Sequence, residues 1–202
     1  MKTIGLAGGS GSGKGTVGQI LDSLGIPTVD TDAIYHEMTS AESPCLKALA
    51  DEFGSEVISY SGALNRAALA KLVFVGEGAA ERRSRLNEIA HRFILEEARA
   101  RLRDLDSSGY AFAAVDAPLL FESGFDSECD LIITVVAPMP ERIARIVARD
   151  GITEESASAR IESQISDDEL ISRSDYVIYN NGDMDTLREA VISTVNKIKV
   201  EI

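Results

Sequence analysis

The clearest chemistry in this sequence lies in one stretch, Gly8-Gly9-Ser10-Gly11-Ser12-Gly13-Lys14-Gly15-Thr16. Glycines let backbone N–H groups converge on phosphate oxygens. Lys14 adds a mobile cation for the outer phosphates of a nucleotide. The spacing Gly8-x-x-x-x-Gly13-Lys14 is that of a phosphate-binding loop. The next position asks for Ser or Thr, and this chain has Gly15 and then Thr16. The expected nucleotide contacts in the loop are Gly9, Gly11, Ser12, Gly13, Lys14, Gly15 and Thr16.

Carboxylates and arginines supply the remaining chemistry. Asp30 and Asp32 follow a short apolar run, Ile26–Val29, and Asp116 follows another, Tyr110–Val115. In open α/β sheets ligands sit beyond the carboxyl ends of strands, so these carboxylates fall near the crevice. Seven arginines lie between Arg82 and Arg103, and three more between Arg142 and Arg149. Arg142, Arg145 and Arg149 are three and four residues apart, which puts them on one side of a helix. The bland alternative for both groups is a solvated helix face. The net charge of −13 excludes a broad basic surface for nucleic acid. An anionic small substrate remains compatible, because the positive charge is concentrated locally.

Such a loop needs a strand to deliver it and a helix to receive it. The apolar run Thr3–Ala7 precedes it, in a first strand over 1–7. Val17, Ile20, Leu21 and Leu24 repeat behind it at helical spacing, with Gly25 as the stop. A glycine-rich turn that binds nothing does not need this setting. Further strands are expected at 26–29, 110–115, 131–136 and 176–179. Helices are expected at 44–53 (Ser43 as cap), 66–75 (Asn65 as cap), 79–104 and 185–199. Pro140 opens a helix with Arg142, Arg145 and Arg149. Asp150-Gly151 breaks it, Thr153 caps the next, and Ser166 opens a capping box. Strands alternating with helices predict an α/β fold with a parallel, doubly wound sheet. The helices between the second and third strands read as an inserted lobe.

The 202 residues suffice for one domain with a sizeable core, and 45% hydrophobic with 26% charged residues marks an ordinary globular chain. No apolar run is long enough to span a bilayer, and no signal-peptide pattern opens the sequence. Cys45 and Cys129 fit no metal or redox spacing, so reduced thiols and a cytoplasmic location are expected.

Nearly the whole chain, in order, resembles the dephospho-coenzyme A kinase family. The segments that carry the resemblance are Ile4–Lys14, Ile26–Asp32, Gly62-Ala63-Leu64-Asn65-Arg66 and Val73-Phe74. Asp116-Ala117-Pro118-Leu119-Leu120-Phe121-Glu122, Arg149-Asp150-Gly151 and Asp175–Ile178 complete the set. The Asp-x-Pro-Leu-Leu-Phe-Glu segment is the most diagnostic. The resemblance implies transfer of the γ-phosphate of ATP, with Mg²⁺, to the ribose 3′-hydroxyl of dephospho-coenzyme A. It implies a five-stranded parallel sheet in the order 2-3-1-4-5, a helical acceptor lobe and a helical lid. The corresponding boundaries are a core at about 1–34, 108–140 and 174–202, a lobe at 35–107 and a lid at 141–173.

It also implies site residues. Lys14, Asp32 and Arg149 match catalytic positions, with Asp32 accepting or orienting the 3′-hydroxyl. The alternative for Asp32 is a helix cap at Ala33, and Asp30 is read as structural. Arg142, Arg149 and Asn180 join the loop as nucleotide contacts. Asp32, His91, Asp116, Pro118, Leu119 and Arg160 form the acceptor side, and Thr16 and Asp116 are the metal positions. No nucleic acid, membrane or obligate protein partner is expected.

The sequence departs from the family pattern at Gly15 for Ser, Arg92 for Pro and Asn65 for Asp. Only Gly15 touches the chemistry. Gly13-Lys14-Gly15-Thr16 resembles the loop of adenylate kinases, which work with that sequence. The metal is then expected to be held through water or by Thr16. Another nucleotide or nucleoside kinase, or a nucleotide-binding regulator without transfer activity, are the competing readings.

Overall fold

β1 (Lys2–Ala7) is the central strand of the protein, and its last four residues are fully enclosed. The structure, a computed structural model, describes residues 1–201. The chain continues through α1 (Lys14–Ser23), β2 (Thr28–Asp30), α2 (Thr31–Ser40), α3 (Pro44–Phe53), α4 (Arg66–Phe74) and α5 (Ala79–Ser107). Then follow β3 (Phe112–Asp116), β4 (Leu131–Val136), α6 (Met139–Asp150), α7 (Glu154–Glu162), α8 (Asp167–Ser172), β5 (Tyr176–Tyr179) and α9 (Met184–Glu201). The five strands form one parallel sheet in the order β2-β3-β1-β4-β5, as the resemblance implies. Ile4 is in register with Ala114 on one side and Leu131 on the other.

Two compact units divide the chain. The first comprises 1–29 and 102 onward, and the second 30–101. The first is built on the sheet. Ile4, Leu6, Val17, Leu21, Ile133 and Val191 pack into its core with no more than traces of exposed surface. Each such side chain contributes about 1.5–3 kcal/mol relative to exposure. The unbroken apolar sequence of β4, Leu-Ile-Ile-Thr-Val-Val, is buried throughout, as a strand covered on both faces requires.

The second unit is helical and carries its own core, including Cys45, Leu46, Leu49, Val57, Leu69 and Ile89. Its helix starts follow the sequence. Ser43 Oγ accepts the Leu46 N–H at 3.0 Å and Asn65 Oδ1 accepts the Ala68 N–H at 3.1 Å. Two of the clustered arginines are structural here. Arg82 donates to the carbonyls of Leu72, Val75 and Glu77, and Arg83 to that of Val73, which caps the end of α4.

The elements differ from expectation in three places. β2 starts at Thr28, because Ile26 N–H bonds back to Leu21 and Thr28 N–H goes to the Asp22 carboxylate. Residues 25–27 therefore finish the turn out of α1. β3 starts at Phe112, because α5 runs on to Ser107 and Tyr110 N–H folds back on Leu105. Asp116 is consequently the last residue of β3. α2 is a further helix, and its cap is Asp30, whose Oδ1 accepts the Asp32 and Ala33 N–H groups at 2.8 and 3.0 Å. The capping alternative for Asp32 thus belongs to Asp30. Among the described residues no helix is long and apolar enough to cross a membrane.

Candidate active site

The loop between β1 and α1 is an anion site by construction. Gly13 precedes α1 in the left-handed region, at φ 97°, and supplies no side-chain cap. The first turn of α1 carries no acidic residue. A helix start of this kind favours an anion, because the helix dipole and the leading N–H groups are both directed at it. Gly11 is required by close approach. At φ 77°, an added Cβ would lie 2.6 Å from the Arg142 carbonyl oxygen.

Donors from distant elements hold the loop from outside. Arg142 Nε bonds the Ser10 carbonyl at 2.9 Å, and Arg145 Nη1 bonds those of Gly11 and Ser12 at 3.0 and 3.3 Å. Asn180 Nδ2 bonds the Ser12 carbonyl at 2.7 Å. Across a trans peptide the C=O and the following N–H point in opposite directions. Fixing the carbonyls of Ser10 and Ser12 outward aims the N–H groups of Gly11 and Gly13 the other way, into the loop. Ser12 Oγ is buried without a hydrogen-bond partner.

Lys14 and Asp116 form an ion pair, with side chains 13% and 11% exposed. The β1–β3 register sets Asp116 opposite Leu6, directly before the loop. A narrow crevice of about 20 Å³ is lined by Gly8, Gly9, Pro118, Phe121 and Gln164 among others. That is room for one water molecule. Leu119 is exposed on the same segment, and Arg173 stacks 4.0 Å from the Phe121 ring.

The segment 141–173 brings Arg149 and Arg160 together. Both guanidinium groups bond the Asp150 carboxylate, Arg149 at 2.7 and 2.9 Å and Arg160 at 2.5 Å. Those two guanidinium groups, Arg149 first, hold the Asp150 carboxyl well below the usual carboxylate range. Arg142 stands apart from them. It is 4% exposed, sits under the loop and pairs with Asp167 at 2.9 Å. Asn180, implied as a nucleotide contact, is likewise buried and bonded to the loop.

In the second unit Asp32 is exposed in the first turn of α2, and His91 is half-buried on α5. His36, four residues after Asp32, bonds Arg66 through Nδ1 at 3.0 Å. Sequence reasoning assigned no role to His36, Arg145 or Gln164. Arg145 was visible in the arginine spacing. Gln164, expected on the helix that Thr153 caps, lies just past the end of α7, where its Oε1 accepts the Ser10 N–H at 2.8 Å; no local pattern marks that contact.

A parallel 2-3-1-4-5 sheet with a glycine loop, a lysine at the loop's end and a carboxylate at the end of the adjacent strand defines a P-loop kinase. Solved shikimate kinases share this fold, including one from Acinetobacter baumannii in complex with shikimate (TM-score 0.57, 15% identity, covering 100% of this chain and 94% of that one). The family model for dephospho-CoA kinase matches residues 2–186. The chain is 37% identical over 198 residues to the dephospho-CoA kinase of Corynebacterium glutamicum, covering 98% of each. It is 38% identical to that of Syntrophotalea carbinolica, covering 98% of this chain and 92% of the relative. A solved dephospho-CoA kinase from Campylobacter jejuni superposes with a TM-score of 0.73 at 25% identity over the full length of both chains. This chain belongs to the dephospho-CoA kinase family, transferases that perform the last step of coenzyme A biosynthesis.

Proposed function

We propose that ATP seats its phosphates at the N-terminus of α1 and passes the γ-phosphate to the ribose 3′-hydroxyl of dephospho-CoA, with Lys14, Asp32 and Arg149 acting on the reacting groups. The observation that carries this reading is the uncapped start of α1 with Lys14 beside it. In phosphoryl transfer the protein mainly positions reactants and neutralises charge. Lys14 exchanges Asp116 for the outer phosphates. Asp32 accepts or orients the hydroxyl. Arg149 and Arg160, gathered on Asp150, close over the phosphates and the acceptor and exclude water. Arg142 and Asn180 serve the nucleotide through the loop carbonyls that they hold. Pro118, Leu119, His91 and Asp116 take the acceptor-binding roles that the family pattern assigns them. Residues 35–107 act as the acceptor lobe and 141–173 as the lid.

Mg²⁺ when bound neutralises charge on the transferring phosphates. Among the described residues no group of three or more His, Cys, Asp or Glu side chains forms a metal cage. That fits an ion that arrives on the nucleotide, since Mg²⁺ is usually held by one or two carboxylates plus phosphates and water. Asp116 and Thr16 would hold it. The enzyme works in the cytoplasm on a small-molecule acceptor.

A coupled assay for ADP, with dephospho-CoA, AMP and nucleosides as acceptors, tests this reading. ADP should form with dephospho-CoA and not with the others. Lys14→Ala and Asp32→Ala should each lower turnover by about 10²–10⁴ with folding intact. Near-normal turnover of Asp32→Ala would falsify its catalytic role.

A further inference from the structure

We infer that Gln164 is a positioning residue for the nucleotide, a side chain on the α7–α8 connection that fixes the shape of the phosphate-binding loop through the Ser10 amide. The inference rests on the loop being the nucleotide site. Gln164 Oε1 accepts the Ser10 N–H at 2.8 Å across 154 residues of chain. The Ser10 carbonyl is held separately, by Arg142 Nε at 2.9 Å. Arg142 in turn donates to Asp167 Oδ1 at 2.9 Å, three residues beyond Gln164. The α7–α8 connection and the first residue of α8 therefore tie both sides of Ser10: the N–H directly through Gln164, and the C=O through Arg142 and Asp167.

Ser10 needs such ties. Its neighbours Gly8, Gly9 and Gly11 have no side chains with which to resist rotation of the intervening peptides. Fixing each residue of a flexible chain costs backbone entropy, and glycine has the most to lose. A loop ordered before the ligand arrives spares binding that cost. The acceptor at 164 is also neutral, so it holds an amide beside an anion site without adding negative charge. Gln164 itself is exposed, and its own N–H closes the end of α7 on the Ile161 carbonyl at 3.2 Å. Its carboxamide is thus available to the loop at little cost to the fold.

Two substitutions separate this role from a structural one. Gln164→Met keeps the volume and removes the acceptor. Gln164→Glu keeps an acceptor of the same length. ATP binding is measured by calorimetry without acceptor substrate, and Ser10 amide exchange by NMR in the nucleotide-free protein. Gln164→Met should raise the ATP dissociation constant about tenfold, the scale of one lost hydrogen bond. It should also speed Ser10 exchange, and in turnover its loss should fall mainly on the KM for ATP. Gln164→Glu should keep Ser10 exchange slow. Wild-type ATP affinity and Ser10 exchange in Gln164→Met would overturn the inference, as would fast exchange in Gln164→Glu. Wild-type protein that does not bind ATP would instead overturn the reading of the loop as the nucleotide site.

Discussion

Gly15 lies exposed in the first turn of α1, and an added Cβ would meet nothing within 4 Å. The hydroxyl that the loop pattern asks for is therefore missing by sequence and not by crowding. Gly15→Ser should keep turnover within about tenfold, since a working loop accepts either residue, and should lower the Mg²⁺ concentration for half-maximal rate. A titration of rate against Mg²⁺ checks both, and a loss beyond hundredfold would mean that the bare backbone at this position is needed. At this scale the loop was legible because its spacing is local and its residue types are few. Its supports were not. Arg142, Gln164 and Asn180 reach Ser10 and Ser12 across 132, 154 and 168 residues, and no local pattern marks such contacts.

Helix starts were legible wherever one polar side chain closes a turn. Ser43, Asn65, Thr153 and Ser166 all cap the helices that the sequence assigned to them. α2 is harder, because two carboxylates stand two residues apart: Asp30, read as structural, is the one that caps the helix, whereas the sequence alone places the capping alternative on Asp32. The family departure at Asn65 is explained by its cap. Either Asn or Asp accepts the Ala68 N–H, and the Asn amide also reaches the Glu56 carbonyl at 3.4 Å. Asn65→Ala should destabilise the protein by about 1 kcal/mol in urea unfolding, and Asn65→Asp by less than half of that. Equal losses in both would deny the cap its role.

At the scale of the whole molecule, alternating strands and helices mark a parallel sheet, while its order, β2-β3-β1-β4-β5, is what the family resemblance implies and not what any local pattern encodes. The helical unit spans 30–101 and carries its own core, as does the sheet unit. Cys45 and Cys129 are free thiols, and their burial adds a pH dependence. Burial, then the nearby carboxylates of Asp126, Glu128 and Asp130, push the Cys129 thiol up to about 12, and burial raises Cys45 too. The unfolded chain ionises its thiols near pH 8.5. Their contribution to stability is therefore complete below that value and is lost as pH rises towards 12. Urea unfolding from pH 8 to 10.5 should show stability falling with pH, and Cys129→Ala should flatten the fall. A Cys129→Ala profile parallel to wild type would contradict the assignment.

The ion pair between Lys14 and Asp116 has a consequence for inhibitor chemistry. A purely anionic compound that captures Lys14 strands a buried carboxylate, and removing one partner of a buried pair is costly. A zwitterionic head group, with its anion towards Lys14 and a proton donor towards Asp116, leaves neither residue unmatched. Screening libraries built only from phosphate mimics will therefore undersample the compounds best suited to the empty enzyme.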